Sequence, residues 1–365
     1  MASMTAPTES PAATGKTGGF KLTERDRLAL DRTFSIDTRA LAVVRILMAG
    51  LVLFEALILE WFAYAHSNPA IDFLYRNSNL IIIPFAVMML IGYKTRIATV
   101  LVWVIYSIPQ RSELLAGGAI EMGDFITVVL LLWLTFLPLD RHLSVESRPG
   151  RARPSRYLSV ASGGILFQVF VIYFSAGWLK SFHEWVIDAN AMELILSNSY
   201  FETPIGTALL GYPGFLAVMS VVSYVIEVVG SLLVMIPGKT LEKRRLVVVP
   251  AFIALHVGIA LTMGIGLFPF VMIAAWLLFL PSRFWDRVWS RFGGEPAMVE
   301  PTVDKNGWRN LSAGALVVIM LVSNLMTWMY YPNFEGFSEF FHDFTIYLLM
   351  YQRWAMFAVP STLPI

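Results

Sequence analysis

Cysteine is absent from the 365-residue chain. This excludes disulfides, thiolate nucleophiles and cysteine-ligated zinc or iron–sulfur centres. Charge is scarce as well: only 15% of side chains are charged, against about 25% in an ordinary soluble domain. Neither sign prevails, since 27 basic and 26 acidic residues leave a net charge of +1. A nucleic-acid partner is therefore not expected, because such binders carry a basic face or module. The five histidines, His66, His142, His183, His256 and His342, are scattered along the chain, so no metal centre is expected. There is no glycine-rich phosphate loop, no internal repeat, and no Gly-x-x-x-Gly spacing in the apolar stretches. Met1–Gly19 has no apolar core and reads as a tail rather than a signal peptide.

What the chain has in excess is apolar surface: 57% hydrophobic and 14% aromatic residues, with a mean hydropathy of +0.65. The expectation is an all-α, polytopic transmembrane helix bundle. Crossing a hydrocarbon layer of about 30 Å takes roughly 20 apolar residues. Nine stretches approach this: Ala40–Tyr64, Asp72–Ile91, Ile97–Leu115, Met122–Leu139, Leu158–Lys180, Gly214–Ile236, Leu246–Gly266, Phe268–Leu280 and Leu311–Tyr331. The second and third are weak because they absorb Asp72 and Arg76, or Arg111 and Glu113. The eighth is short and bounded by Pro269 and Pro281, so a tilted, kinked or re-entrant segment is expected and the count is eight to nine. The organisation expected is a tail and interfacial helix over 1–33, a membrane domain over 34–360 and a short remnant over 361–365.

Loop charge sets an orientation. With the N-terminus inside and the C-terminus outside, inner loops collect nearly all the lysines and arginines, and outer loops receive only Arg76, Arg111 and Arg353. A multi-pass cell-membrane protein, placed in a bacterial inner membrane, is the expected localisation, with the lipid bilayer as its first partner.

Polar residues inside such spans are costly and point into a cavity or to a partner. Gln168 lies ten residues beyond Leu158, Glu227 nine before Ile236, and His256 ten beyond Leu246, which puts all three near mid-depth. Glu227 and His256, on sequential antiparallel helices, are expected to pair, either as a structural bond or as part of a proton relay or ligand contact. Arg45 reads as a snorkelling inner-leaflet residue or a functional one. Glu55, deeper in the first span, has no obvious local partner. Towards the outer side stand Gln110, Arg111, Glu113, Glu121 and Asp124, followed by Lys180, His183, Glu184 and Trp185. Lys180 is either a helix-end anchor or a partly desolvated amine able to act as a base. Ser181–Tyr212 holds four acids and no lysine or arginine, and reads as an outer amphipathic or re-entrant stretch.

Five pieces, in order, resemble the horizontally transferred transmembrane (HTTM) family, which includes vitamin K-dependent gamma-carboxylase. They are Arg45 early in the first span; Gly92-Tyr-Lys-Thr-Arg96; Gln168 through Tyr173, Ala176, Gly177 and Lys180 to Trp185; His256 with Phe268-Pro-Phe-Val-Met272; and Gln352-Arg353-Trp354 to Pro360. The resemblance implies a reduced quinone, such as vitamin K hydroquinone, entering from the outer leaflet. It implies Lys180 as the base and His256 beside the cavity. Gln168, Tyr173, Glu55, Arg111, Asp124 and Glu227 are the ligand-binding candidates. Ala116 to Asp124 stands where the carboxylase has an Asn-Asn-His element, and the chain stops five residues after Pro360. Full protein-glutamate carboxylation is therefore not expected. A non-catalytic protein binding a lipid or a protein partner in the same fold, and a proton-coupled transporter using Glu55, Glu227 and His256, are the competing readings.

Overall fold

The computed structural model describes residues 23–59, 69–116, 120–147, 155–292, 302–329, 345 and 356–357. The tail before residue 23 and most of the stretch from Gln352 to Pro360 lie outside the described residues. All nine apolar stretches contain a helix. Helix α1 (Glu24–Phe34) opens with a capping box between Thr23 and Asp26 and is followed by β1 (Ile36–Asp37). Helix α2 (Thr38–Phe54) runs on into a π-turn, Glu55–Leu59. Then come α3 (Pro69–Ile91), α4 (Thr95–Leu115), α5 (Met122–Thr135), β2 (Arg156–Leu158) and α6 (Val160–Trp178). A π-turn (His183–Ile187), α7 (Ala191–Leu196) and α8 (Pro204–Leu209) form the stretch expected to lie outside. Helix α9 (Pro213–Val225) passes through a third π-turn (Ile226–Gly230) into α10 (Ser231–Met235). The order closes with α11 (Leu241–Thr262), α12 (Phe268–Trp276), α13 (Ser282–Arg291), β3 (Thr302–Val303) and α14 (Gly307–Met329).

Among the described residues, six helical segments are long and apolar enough to cross a membrane, or seven if α12 with its 3-10 extension and α13, bent by 102°, count as one broken span. The nine expected crossings therefore divide. Helix α4 ends in Gln110, Arg111 and Glu113, and α5 has 14 residues, about 21 Å at 1.5 Å per residue. Burial explains how α5 stays short: every residue from Ile126 to Leu134 is buried, so protein rather than lipid surrounds it. Helix α6 is the other central element, 72% buried over its apolar window, against 22% for α3 and α14. Gly164 lets it press on α5, because a Cβ there would meet the Trp133 ring at 2.4 Å. The bend after α12 falls at Pro281, where the sequence signalled a break.

A three-stranded sheet was not foreseen. Strand β2 pairs antiparallel with β1 (Ile36 opposite Tyr157) and parallel with β3 (Tyr157 opposite Thr302). It gathers the starts of α2, α6 and α14, three helices whose expected spans all begin on the same side. Buried arginines finish this end. Arg39 grips Asp37 through two nitrogens and reaches Asp286 at 2.7 Å, while Arg245 donates to the carbonyls of Thr33 and Val234.

Arg45 corrects the snorkelling reading. It is fully buried and donates to the carbonyls of Leu139 (2.8 Å), His142, Leu90 and Leu143. Loop and helix-end carbonyls without helical partners thus receive donors from one planar guanidinium. Gly92 belongs to the same device. It adopts φ +75°, and a Cβ there would lie 2.6 Å from Ser144 and 2.7 Å from Arg45 Nη1.

Arg45→Met should therefore lower stability by about 3 kcal/mol, as removal of one member of a buried polar set does. Arg45→Lys, with a point charge in place of the fork, should recover only part of it. Thermal unfolding in detergent micelles measures both, and a wild-type midpoint for Arg45→Met would contradict the staple.

Candidate functional site

Helix α6 carries most of the predicted site. Ser159 caps it, accepting from Ser162 N–H while Ser162 Oγ accepts from Ser159 N–H. Gln168 is fully buried in its middle, and Tyr173, Gly177 and Lys180 follow at spacings of four and three, so they share one face. The helix ends at Trp178, and Lys180 sits just past it with a 2%-exposed side chain.

The Lys180 ammonium lies 2.7 Å from Glu227 Oε2. That oxygen is buried and receives no well-directed hydrogen bond, so the contact is held by charge rather than by donor geometry. Lys180 Nζ also donates to Met356 O at 3.3 Å and stands 4.4 Å from the centre of the Trp185 ring. Trp185 Nε1–H donates in turn to Phe357 O. The pair is thus enclosed by an aromatic face and a short piece of chain far along the sequence. Gly177 makes the approach: a Cβ there would be 2.6 Å from Val228 Cγ2 and 3.2 Å from Glu227 Cβ.

The expected Glu227–His256 pair is therefore corrected. Glu227 sits in the π-turn after α9. One extra residue in a turn shifts the helical phase by about 100°, so a regular helix is the wrong ruler for its direction. A carboxylate in an apolar setting also gains more from an ammonium than from an imidazole. His256 finds Tyr173 instead, with its Nε2 2.8 Å from the hydroxyl and its Nδ1 2.8 Å from Phe252 O. A carbonyl can only accept, so Nδ1 carries the hydrogen, and in the neutral ring Nε2 accepts from Tyr173 O–H. Phe252, Trp276 and Phe268 wall this bond in: Tyr173 meets Phe252 at 4.6 Å and Trp276 at 5.1 Å, and His256 meets Phe268 at 5.6 Å.

A second set forms around Tyr106, which sequence reasoning missed. Its hydroxyl is 2.6 Å from Glu55 Oε2 and 3.0 Å from Asp124 Oδ1, and the residue is 4% exposed. Glu55 begins the π-turn after α2. Tyr75 O–H donates to Gln110 Oε1 at 2.8 Å, and Gln110 bonds Asp124. The spacing Tyr106-x-x-x-Gln110 was the available signal, one turn of α4 presenting two polar groups on one face. Arg111 lies half-buried near the end of the same helix. Among the described residues no cluster of three metal-ligating side chains occurs. A groove of about 790 Å³ lined by Ser199, Glu202, Thr203, Pro204, Thr207 and Ala208 opens in the α7–α8 segment, next to Phe201, whose ring packs on Phe357 at 5.4 Å.

A family model described as the HTTM domain matches residues 34–285, more than half of the chain. No curated protein and no solved structure matches it.

Two substitution sets test this geometry. Gly177→Ala should cost about 1–3 kcal/mol by overpacking. Gly163→Ala, whose Cβ would meet only Phe34 at 3.6 Å, should be neutral in the same unfolding assay. Lys180→Met and Glu227→Met should each cost about 3 kcal/mol by stranding a buried charge, whereas the double variant regains most of that loss. Additive losses would show that the two groups do not interact.

Proposed function

The chain belongs to the HTTM family, and from that premise we propose that this multi-pass membrane protein binds a reduced quinone at the Lys180–Glu227 pair. In this reading the pair lies towards the outer leaflet of a bacterial inner membrane, with the N-terminus inside and the C-terminus outside. One observation carries the proposal: a lysine at the position that the family resemblance marks as the quinol base is buried, paired and faced by an aromatic ring. Apolar surroundings suit a quinone ring and tail, and an ammonium beside a carboxylate suits its hydroxyl.

The residues divide the work by charge. The resemblance gives the base role to Lys180; because Lys180 is paired with a carboxylate, we assign proton acceptance to Glu227 instead and let Lys180 hold the oxygen from which the proton leaves. When bound, a hydroquinone supplies a weakly acidic hydroxyl and a reducible ring. Trp185 supplies a flat apolar face. Tyr173, fixed by His256, is a positioning residue one turn before Gly177. Glu55, Asp124 and Gln110 form a separate set and are not assigned to the quinone.

The closure of the pair by Trp185 and Met356 O favours a second reading, a structural clasp in a non-catalytic lipid-binding or scaffold protein. Binding separates the two. With purified protein in nanodiscs and a short-tailed naphthohydroquinone as probe, saturable binding is expected. Lys180→Met should weaken it at least tenfold, or about 1.4 kcal/mol, with a larger loss than in Arg45→Lys protein of matched thermal stability. No binding by wild-type protein, or equal affinity in Lys180→Met, would leave the clasp as the role of the pair.

A further inference from the structure

The set around Tyr106 holds a proton-counting constraint that is independent of Lys180 and of any quinone. Tyr106 has one hydroxyl hydrogen, yet its oxygen lies within hydrogen-bond distance of two carboxyl groups, at 2.6 Å from Glu55 and 3.0 Å from Asp124. Sharing that hydrogen between two ionised carboxylates would gather two negative charges about one buried oxygen. Glu55 and Asp124 are each half-buried against the buried Tyr106, and like charges at this range disfavour each other. Other acids act on the cluster too: Glu113, further along α4, and Glu121, one turn before Asp124 on α5. The same end of α4 carries one cation, Arg111.

We infer that Glu55, Tyr106 and Asp124 form a proton-holding and proton-transferring site, in which Asp124 carries a proton and Glu55 the charge. Distance decides the assignment. The 2.6 Å contact has the length of a hydroxyl donating to an ionised oxygen, and the 3.0 Å contact, at the long end for an O–H···O bond, suits a weaker bond between neutral groups. Tyr106 therefore donates to Glu55 and accepts from Asp124 Oδ1–H.

The neighbouring groups agree with this direction. Tyr75 O–H donates to Gln110 Oε1, which leaves the Gln110 amide hydrogens to serve Asp124. A carboxylic acid donating from one oxygen still accepts at the other. The chain Tyr75 to Gln110 to Asp124 to Tyr106 to Glu55 then runs one way, with each donor used once.

Transfer along it is balanced. Asp124 O–H breaks as its proton passes to Tyr106 oxygen. Tyr106 releases its own hydrogen to Glu55, where a new O–H forms. Asp124 ends ionised, Glu55 neutral and Tyr106 unchanged, with no heavy atom displaced by more than a hydrogen-bond adjustment. The ligand of this site is a proton, and its natural users are reactions or carriers that need one moved inside the bundle.

Infrared spectroscopy of the purified full-length protein at neutral pH tests the inference. A protonated-carboxyl stretch is expected that moves in D₂O and disappears in Asp124→Asn. It should persist in Asp188→Asn, where the altered carboxyl is exposed. Wild-type protein labelled with ¹³C-carboxyl aspartate should show the band shifted, and label on glutamate should leave it in place; this arm requires no substitution to fold. Absence of the band in wild-type protein would overturn the proposal, as would a band indifferent to Asp124→Asn and to the aspartate label.

Discussion

An ammonium and a carboxylate held 2.7 Å apart among apolar helices set the terms for the packing around them. Neither Lys180 nor Glu227 is tolerable there without the other, because the cost of removing each charge from water is offset only at close range. Close range demands that α6 and the Ile226–Gly230 turn nearly touch, and Gly177 is what permits it. The same pair anchors residues distant in sequence, since Met356 supplies a carbonyl to the lysine and Phe357 one to Trp185. One electrostatic requirement thus selects a glycine, a helix irregularity and an aromatic cover.

The opposite end of the bundle meets the same requirement with a different chemistry. There the buried cations are arginines, and their partners are largely backbone carbonyls. Arg45 and Arg245 satisfy carbonyls of loops and helix ends, groups that regular helices leave unpaired. A guanidinium suits this task because its planar fork serves several acceptors at once and stays charged when buried. Lysine, a compact point charge, stands instead in the ion pair with Glu227. The distribution separates an end held by arginine–carbonyl bonds from one held by a lysine–carboxylate pair.

Much of this was legible in the sequence, because long apolar runs and the sidedness of basic loops follow directly from the cost of burying charge. The nine helical places and the break at Pro281 were readable in that way, whereas Lys180 was singled out by the family resemblance. Partnerships were not. Glu227 was expected opposite His256, and Arg45 was expected to reach for water. Glu55 and Glu227 both lie in π-turns, and no residue pattern announces a π-turn, so depth could be counted but direction could not. The three-stranded sheet escaped notice for a similar reason: strands of two and three residues are too short to show an alternation. Tyr106 was overlooked because a tyrosine in an apolar helix reads as packing until its hydroxyl has an address.

The two π-turns also bear on how two acidic sites coexist in one bundle. Each delivers a glutamate to a neighbour that a regular helix would have missed, Lys180 in one case and Tyr106 in the other. Between them runs a continuous line of contact. Gly123, beside Asp124, packs so tightly on Phe268 that a Cβ would lie 2.8 Å from its nitrogen. Phe268 meets the His256 ring, and His256 holds Tyr173 on the face of α6 that leads to Lys180. Where the line crosses from Phe268 to His256 the contact is between two rings. The line also fixes position: α12 is seated against Gly123 through Phe268, Phe268 packs on His256, and His256 bonds the tyrosine below the ion pair. At this crossing the two sites share the packing of one phenylalanine ring against an imidazole.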